Sequence, residues 1–209
     1  MKIILPFLFA CLISAQEKYP ADSLLKSKHI SFGKKISLFP IACWQRISYN
    51  SNLFNCQFYP SCSNYGASSI RQYGFIRGSI IASERITRCN PFAINYHLEL
   101  NRPFYESDGR LIDPVNQKKI LNSKKSPLLA SFLSIVPGLG RIYSGRVLDG
   151  LMGTWTFYLH TKIAHDSVKN KSKFAPILVS LAGFTYFGEM YGAWRSTAYY
   201  QKKEIEDSD

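Results

Sequence analysis

Small and apolar side chains recur at helical spacing in two consecutive runs in the first half of the chain. Cys62, Tyr65, Gly66, Ser69, Ile70 and Tyr73 form one stripe, and Gly78, Ile81, Ala82, Arg85, Ile86 and Cys89 form the next. Gly74 lies between them and suits a helix C-terminal cap, so the pattern predicts a helical hairpin whose inner faces bring Cys62 and Cys89 together. Cys56 falls in the turn before the first helix. Upstream, residues 36–47 place most of their bulk on one face behind Lys34 and Lys35. That pattern fits an interfacial helix with basic residues among lipid headgroups, and equally a core helix packed on the hairpin. Pro40 would start or kink it.

After Ser126-Pro127 the chain is apolar over residues 128–136, 148–164 and 174–191. The second and third stretches have the length of membrane helices, although Glu189 lies near the end of the third. The first is broken by Pro137-Gly138-Leu139-Gly140 and reads as an interfacial or partly inserted helix. The N-terminus carries Lys2, an apolar run over residues 3–13, then Ser14-Ala15. This run is too short to span a bilayer and reads as a secretory signal cut after Ala15, or a lipoprotein signal acylated at Cys11, or an uncleaved anchor.

The expected fold is mainly α, with a small basic module carrying a Cys-bearing helical hairpin, followed by a membrane-embedded helical pair. Its segments are a signal or anchor at 1–15, a linker at 16–33, the basic module at 34–98, a linker at 99–127, a membrane-associated helical domain at 128–200 and a charged tail at 201–209. Asp108-Gly109 and Asp113-Pro114 are turn signals in the second linker.

Charge sharpens this picture. The 209 residues carry a formal charge of +12 and an isoelectric point near 9.5. Within residues 34–97, Lys34, Lys35, Arg46, Arg71, Arg77, Arg85 and Arg88 face Glu84 alone. Anionic headgroups attract such a surface by about 1 kcal/mol per basic residue. Nucleic acid would attract it too, but no helix-turn-helix, zinc-finger or RNA-binding signature accompanies the charge. Lysines and arginines flank the two long apolar stretches more heavily than they fill the segment between them. This places both flanks inside, against the export that a cleaved signal implies, and leaves the membrane face open.

The module resembles the membrane protein insertion efficiency factors, the YidD family. The resemblance rests on Trp44-Gln45-Arg46-Ile47-Ser48, on Cys56-Gln57-Phe58-Tyr59-Pro60-Ser61-Cys62-Ser63-Asn64-Tyr65, on Gly74 with Gly78, and on Arg88-Cys89-Asn90-Pro91-Phe92. It implies a bacterial inner-membrane accessory that assists a YidC-type insertase as nascent membrane proteins leave the Sec translocon, without catalytic chemistry. Under it, Trp44, Arg46, Arg71, Arg77, Arg85 and Arg88 would meet anionic phospholipid or a protein partner, and Cys56, Cys62 and Cys89 would be structural. Residues 126–150, with Pro137-Gly138-Leu139-Gly140 and Tyr143-Ser144-Gly145, also resemble a small bacterial membrane module of unassigned role. The contrasting reading is a membrane-perturbing or envelope scaffold protein.

Other chemistry has less support. A Cys62–Cys89 disulfide is the first choice if the module is exported, and reduced buried thiols are expected if it is not. A zinc site from Cys56, Cys62 and Cys89 needs a fourth ligand, for which His97 is nearest, and the Cys-x5-Cys spacing is wider than a usual knuckle. The redox motif Cys-x-x-Cys is absent, and Gly138-x-Gly140 lacks the lysine and strand–helix context of a phosphate loop. His160 and His165 miss the four-residue register of a helical metal pair. Without a partnered base or a nucleophile, no catalytic residue and no cofactor are expected.

Overall fold

The computed structural model describes residues 19–51, 56–117 and 125–200. Residues 1–15, expected as a signal or anchor, the lysines at 118, 119 and 124, and the expected charged tail lie outside them.

Helix α1 (Pro20–Lys26) occupies part of the first expected linker, and α2 (Phe32–Ser48) runs through Pro40 without ending. Gln45 of α2 is fully buried. Its Oε1 accepts the Ala21 N–H at 2.9 Å and its Nε2 donates to Asn64 at 2.9 Å, which ties α1, α2 and the next helix together. Helix α3 (Cys62–Tyr73) begins where the Ser61 hydroxyl accepts the Asn64 N–H. Gly74, at φ +84°, ends α3 and starts α4 (Phe75–Arg88). Gly66 faces Ala82 and Gly78 faces Ile70, contacts placed symmetrically about Gly74, so α3 and α4 form the expected antiparallel hairpin. Leu38, Ala67 and Ile70 make the core where α2 crosses it, with Leu24, Leu25, Ile30 and Ile41 packed around them.

Strand β1 (Phe58–Tyr59) pairs in parallel with β2 (Leu111–Ile112), and α5 (Ala93–Glu99) follows α4 on the way to β2. Phe58, Ala93 and Leu111 form a second core against Cys56 and Cys89. The segment expected as a linker therefore supplies a strand and carries Asp113 into the interior at 1 % exposure.

The C-terminal part comprises α6 (Pro127–Leu133), α7 (Leu139–Tyr143), α8 (Val147–Lys169) and α9 (Ala175–Tyr199). Helix α9 packs on α8, α6 and the hairpin helix α4, where the Ser83 hydroxyl donates to the Phe184 carbonyl at 2.7 Å. Among the described residues no helix is long and apolar enough to cross a membrane. This corrects the expected membrane-embedded helical pair. Helices α8 and α9 have the length, but Asp149, Lys162, Asp166, Glu189 and Arg195 interrupt their apolar character, and three of these are buried against protein.

Candidate functional site

The hairpin and the C-terminal helices meet across a buried cluster of charges. Glu84, Arg85 and Arg88 project from α4, Asp113 follows β2, Arg141 lies on α7, and Glu189 and Arg195 lie on α9; none is more than 2 % exposed. Arg85 donates to the Asp113 carboxylate and, at 2.8 Å, to the Asp113 carbonyl. Arg88 holds Glu84 through two nitrogens and reaches Asp113 at 2.8 Å. From α9, Arg195 donates to the Tyr65 hydroxyl and lies 3.4 Å from Asp113 and 3.5 Å from Glu84. Arg141 grips Glu189 with two nitrogens at 3.0 and 3.2 Å. Tyr200 and Gln117 also donate to Asp113.

Burial pushes the Asp113 carboxyl up, but Arg88, Arg85 and Arg195 together outweigh it and hold that carboxyl well below the usual range. The same contest, with Arg88, Arg195 and Arg141 prevailing over burial, lowers Glu84. Glu189 goes the other way, because its burial outweighs Arg141. Asp113 accepts from Arg85, Arg88, Arg195, Tyr200 and Gln117, a set that fills its acceptor capacity and removes it as a proton-transfer group. The cluster is a joint between two parts of the fold.

A second joint lies beside it. The Asn90 amide donates to Asp149 of α8 at 2.8 Å and to the Thr87 carbonyl at 3.1 Å, and its oxygen accepts the Phe92 N–H at 2.9 Å. Arg146 pairs with Asp149 at 2.6 Å.

The three cysteines of the basic module converge. Their sulfur atoms all lie within 4.8 Å of one another, the Cys56 and Cys62 sulfurs at 3.3 Å, and all three are free thiols. This is the arrangement expected of reduced thiols rather than of a Cys62–Cys89 disulfide, and it adds Cys56 to the pair as a third sulfur. The Cys62 and then the Cys89 thiols, acting as donors, lower the Cys56 thiol, while donation to Cys56 pushes Cys62 up. His97, the expected fourth ligand, is engaged elsewhere, with Nε2 at 2.9 Å from the Pro103 carbonyl.

Arg85 and Arg88, expected at headgroups or a partner, are instead enclosed in the charge cluster, because α9 covers the face of α4 that carries them. Arg46 pairs with Asp22 at 3.0 Å. Arg71 and Arg77 are exposed, Arg77 lying over the Tyr73 ring, and Trp44 is 46 % exposed. Trp44 belongs to an outward row on α2 in which Phe32, Ile36, Trp44 and Ile47 are all exposed, opposite buried Leu38, Ala42 and Gln45. The Lys34 ammonium donates to the Arg71 carbonyl at 2.7 Å, which ties the first turn of α2 to the end of α3.

Sequence reasoning meets Asp113 only as part of a turn signal and Glu189 only as a charge near the end of an apolar stretch, and it assigns no site role to them or to Arg141 and Arg195. The usable signal was the isolated ionisable residue in an apolar run, which demands a buried partner of opposite sign.

Residues 33–97 match a family model described as "Putative membrane protein insertion efficiency factor", YidD. A protein of that description from Endomicrobium trichonymphae is 46 % identical over 59 residues, covering 28 % of this chain and 78 % of that protein. One from Thermoanaerobacter pseudethanolicus is 41 % identical over 59 residues, 28 % of this chain and 86 % of its own. One from Listeria monocytogenes is 39 % identical over 59 residues, 28 % of this chain and 67 % of its own. No solved structure matches the chain.

Proposed function

The chain belongs, through residues 33–97, to the YidD family of membrane protein insertion efficiency factors, and on that premise we propose that it assists insertion of proteins into the bacterial inner membrane by binding alone. Its partners in this reading are anionic phospholipid, a YidC-type insertase and the nascent membrane proteins that leave the Sec translocon.

The observation that carries the reading is the outward row of α2. A helix that buries one face normally turns polar residues to water on the other. Here the second face is also apolar at Phe32, Ile36, Trp44 and Ile47, on a helix whose first turn carries Lys34 and Lys35. An exposed apolar row on a basic module is what an anionic lipid surface holds, the row entering the acyl boundary and each cation that reaches the headgroups adding about 1 kcal/mol. The exposed Leu128, Phe132 and Ile177 of the C-terminal helices extend the apolar surface available to membrane or client. Arg85 and Arg88 support this reading only indirectly, by fixing the module on the C-terminal helices.

The test is site-specific photo-crosslinking in cells from position 36. Adducts with an insertase or with nascent membrane proteins are expected, together with slower but continuing integration of inner-membrane proteins in a deletion strain. Adducts confined to lipid and envelope proteins, with unchanged integration in the deletion strain, would favour the scaffold reading.

A further inference from the structure

We propose that Cys56, Cys62 and Cys89 bind one zinc ion as a three-thiolate site whose fourth position is open to solvent or an exogenous ligand. The thiols come from three separate segments: the turn before β1, the first residue of α3 and the residue that caps α4. The fold nonetheless gathers all three sulfurs within 4.8 Å of one another. Zinc–sulfur bonds of about 2.3 Å in tetrahedral geometry place thiolates roughly 3.8 Å apart, so the ion fits with small side-chain shifts. The 3.3 Å between the Cys56 and Cys62 sulfurs is far beyond the roughly 2.05 Å of a disulfide.

The surroundings suit thiolate ligands. The Cys62 N–H points at the Cys56 sulfur at 3.3 Å, and the Gln57 amide at the Cys89 sulfur at 3.8 Å. Gln57 is itself anchored on the Asn90 carbonyl at 2.8 Å, so this donor is positioned from outside the ligand set in the manner of outer-shell groups at metal sites. Cys62 opens a twelve-residue helix, where the helix dipole favours a sulfur anion. All three cysteines are only partly buried, so the group lies near the surface, where an ion and a fourth ligand can approach. With three thiolates and no carboxylate, the donor set selects a soft or borderline ion over magnesium or calcium. Loading is balanced as three thiols plus Zn2+ giving a trithiolate–zinc group of net charge −1 and three protons released to solvent.

The test uses the full chain, reduced and freed of metal, titrated with Zn2+ against a competing chelator and with Co2+ as spectroscopic probe. One ion per chain is expected, with a thiolate-to-cobalt charge-transfer band. Cys56→Ser, Cys62→Ser and Cys89→Ser should each weaken binding more than about 100-fold, Gln57→Ala by about 10–100-fold, and His97→Ala not at all. Should a serine variant fail to fold, alkylation of the wild-type chain read by mass spectrometry remains decisive: one equivalent of Zn2+ should protect all three thiols together. No cobalt–thiolate band, no joint protection, or a Cys56–Cys62 disulfide in the protein as isolated from cells overturns the proposal.

Discussion

Asp113 makes the fold sensitive to a single atom. Its carboxylate receives guanidinium groups from Arg85, Arg88 and Arg195. Asp113→Asn keeps the shape and removes the charge, leaving buried cations without their counter-ion. Breaking a buried pair in this way typically costs about 3–5 kcal/mol, so a drop of that order is expected in the free energy of unfolding measured with denaturant. Acid acts on the same group. Asp113 and Glu84 titrate lower in the folded chain than in the unfolded one. As pH falls through about 4, the ordinary carboxylate range, the unfolded chain takes up protons that the folded chain refuses. The stability these two groups contribute is complete above that range and is lost progressively below it. The unfolding midpoint should therefore fall between about pH 4 and pH 2, and a midpoint flat across that interval would exclude the paired carboxylates.

At the level of elements, the hairpin was legible because small residues recur on the two facing stripes and Gly74 separates them. Its closeness can be tested at Gly78, where an added Cβ would lie 2.6 Å from the Ile70 Cα. Backbone cannot rotate away, so Gly78→Ala should set an overpacking penalty of about 1–3 kcal/mol against the roughly 1 kcal/mol that alanine gains over glycine in a helix. Net destabilisation is expected. In α9, Gly183 has nothing within 4 Å of its Cβ position, so Gly183→Ala should stabilise by roughly 0.5–1 kcal/mol; equal midpoints for the two variants would contradict the packing. The apolar runs of α8 and α9 resemble membrane helices in sequence because length and hydropathy alone do not say whether protein or lipid covers a face. Glu189 and Arg195 carried the missing information, but their partners Arg141, Glu84 and Asp113 lie far off in sequence, beyond any local pattern. The burial of Arg85 and Arg88 was hidden for the same reason: a basic stripe looks solvated until an acid from a supposed linker and a helix from the other end close over it.

At the scale of the whole molecule, the basic module and the C-terminal helices share the charge cluster and the Asn90–Asp149 contact, so they should melt together. A single unfolding transition is expected by calorimetry. A chain ending at residue 117 would lose Arg141, Arg195 and Tyr200, exposing Glu84 and the α4 face that packs on α9. Such a fragment should lack a cooperative transition, and a sharp melt in it would show that the module folds alone. The cluster turns Arg85 and Arg88 inward, and the proposed function therefore rests on the exposed apolar row of α2. Phe32→Ser with Ile36→Ser alters only side chains that are 78 % and 59 % exposed, so the unfolding midpoint and cellular abundance should stay close to wild type. The decisive measurement is the integration rate of a model inner-membrane protein in a deletion strain carrying this double variant. A rate as slow as in the uncomplemented deletion strain is expected, whereas restoration to the wild-type rate would contradict the assignment of α2 as the working surface.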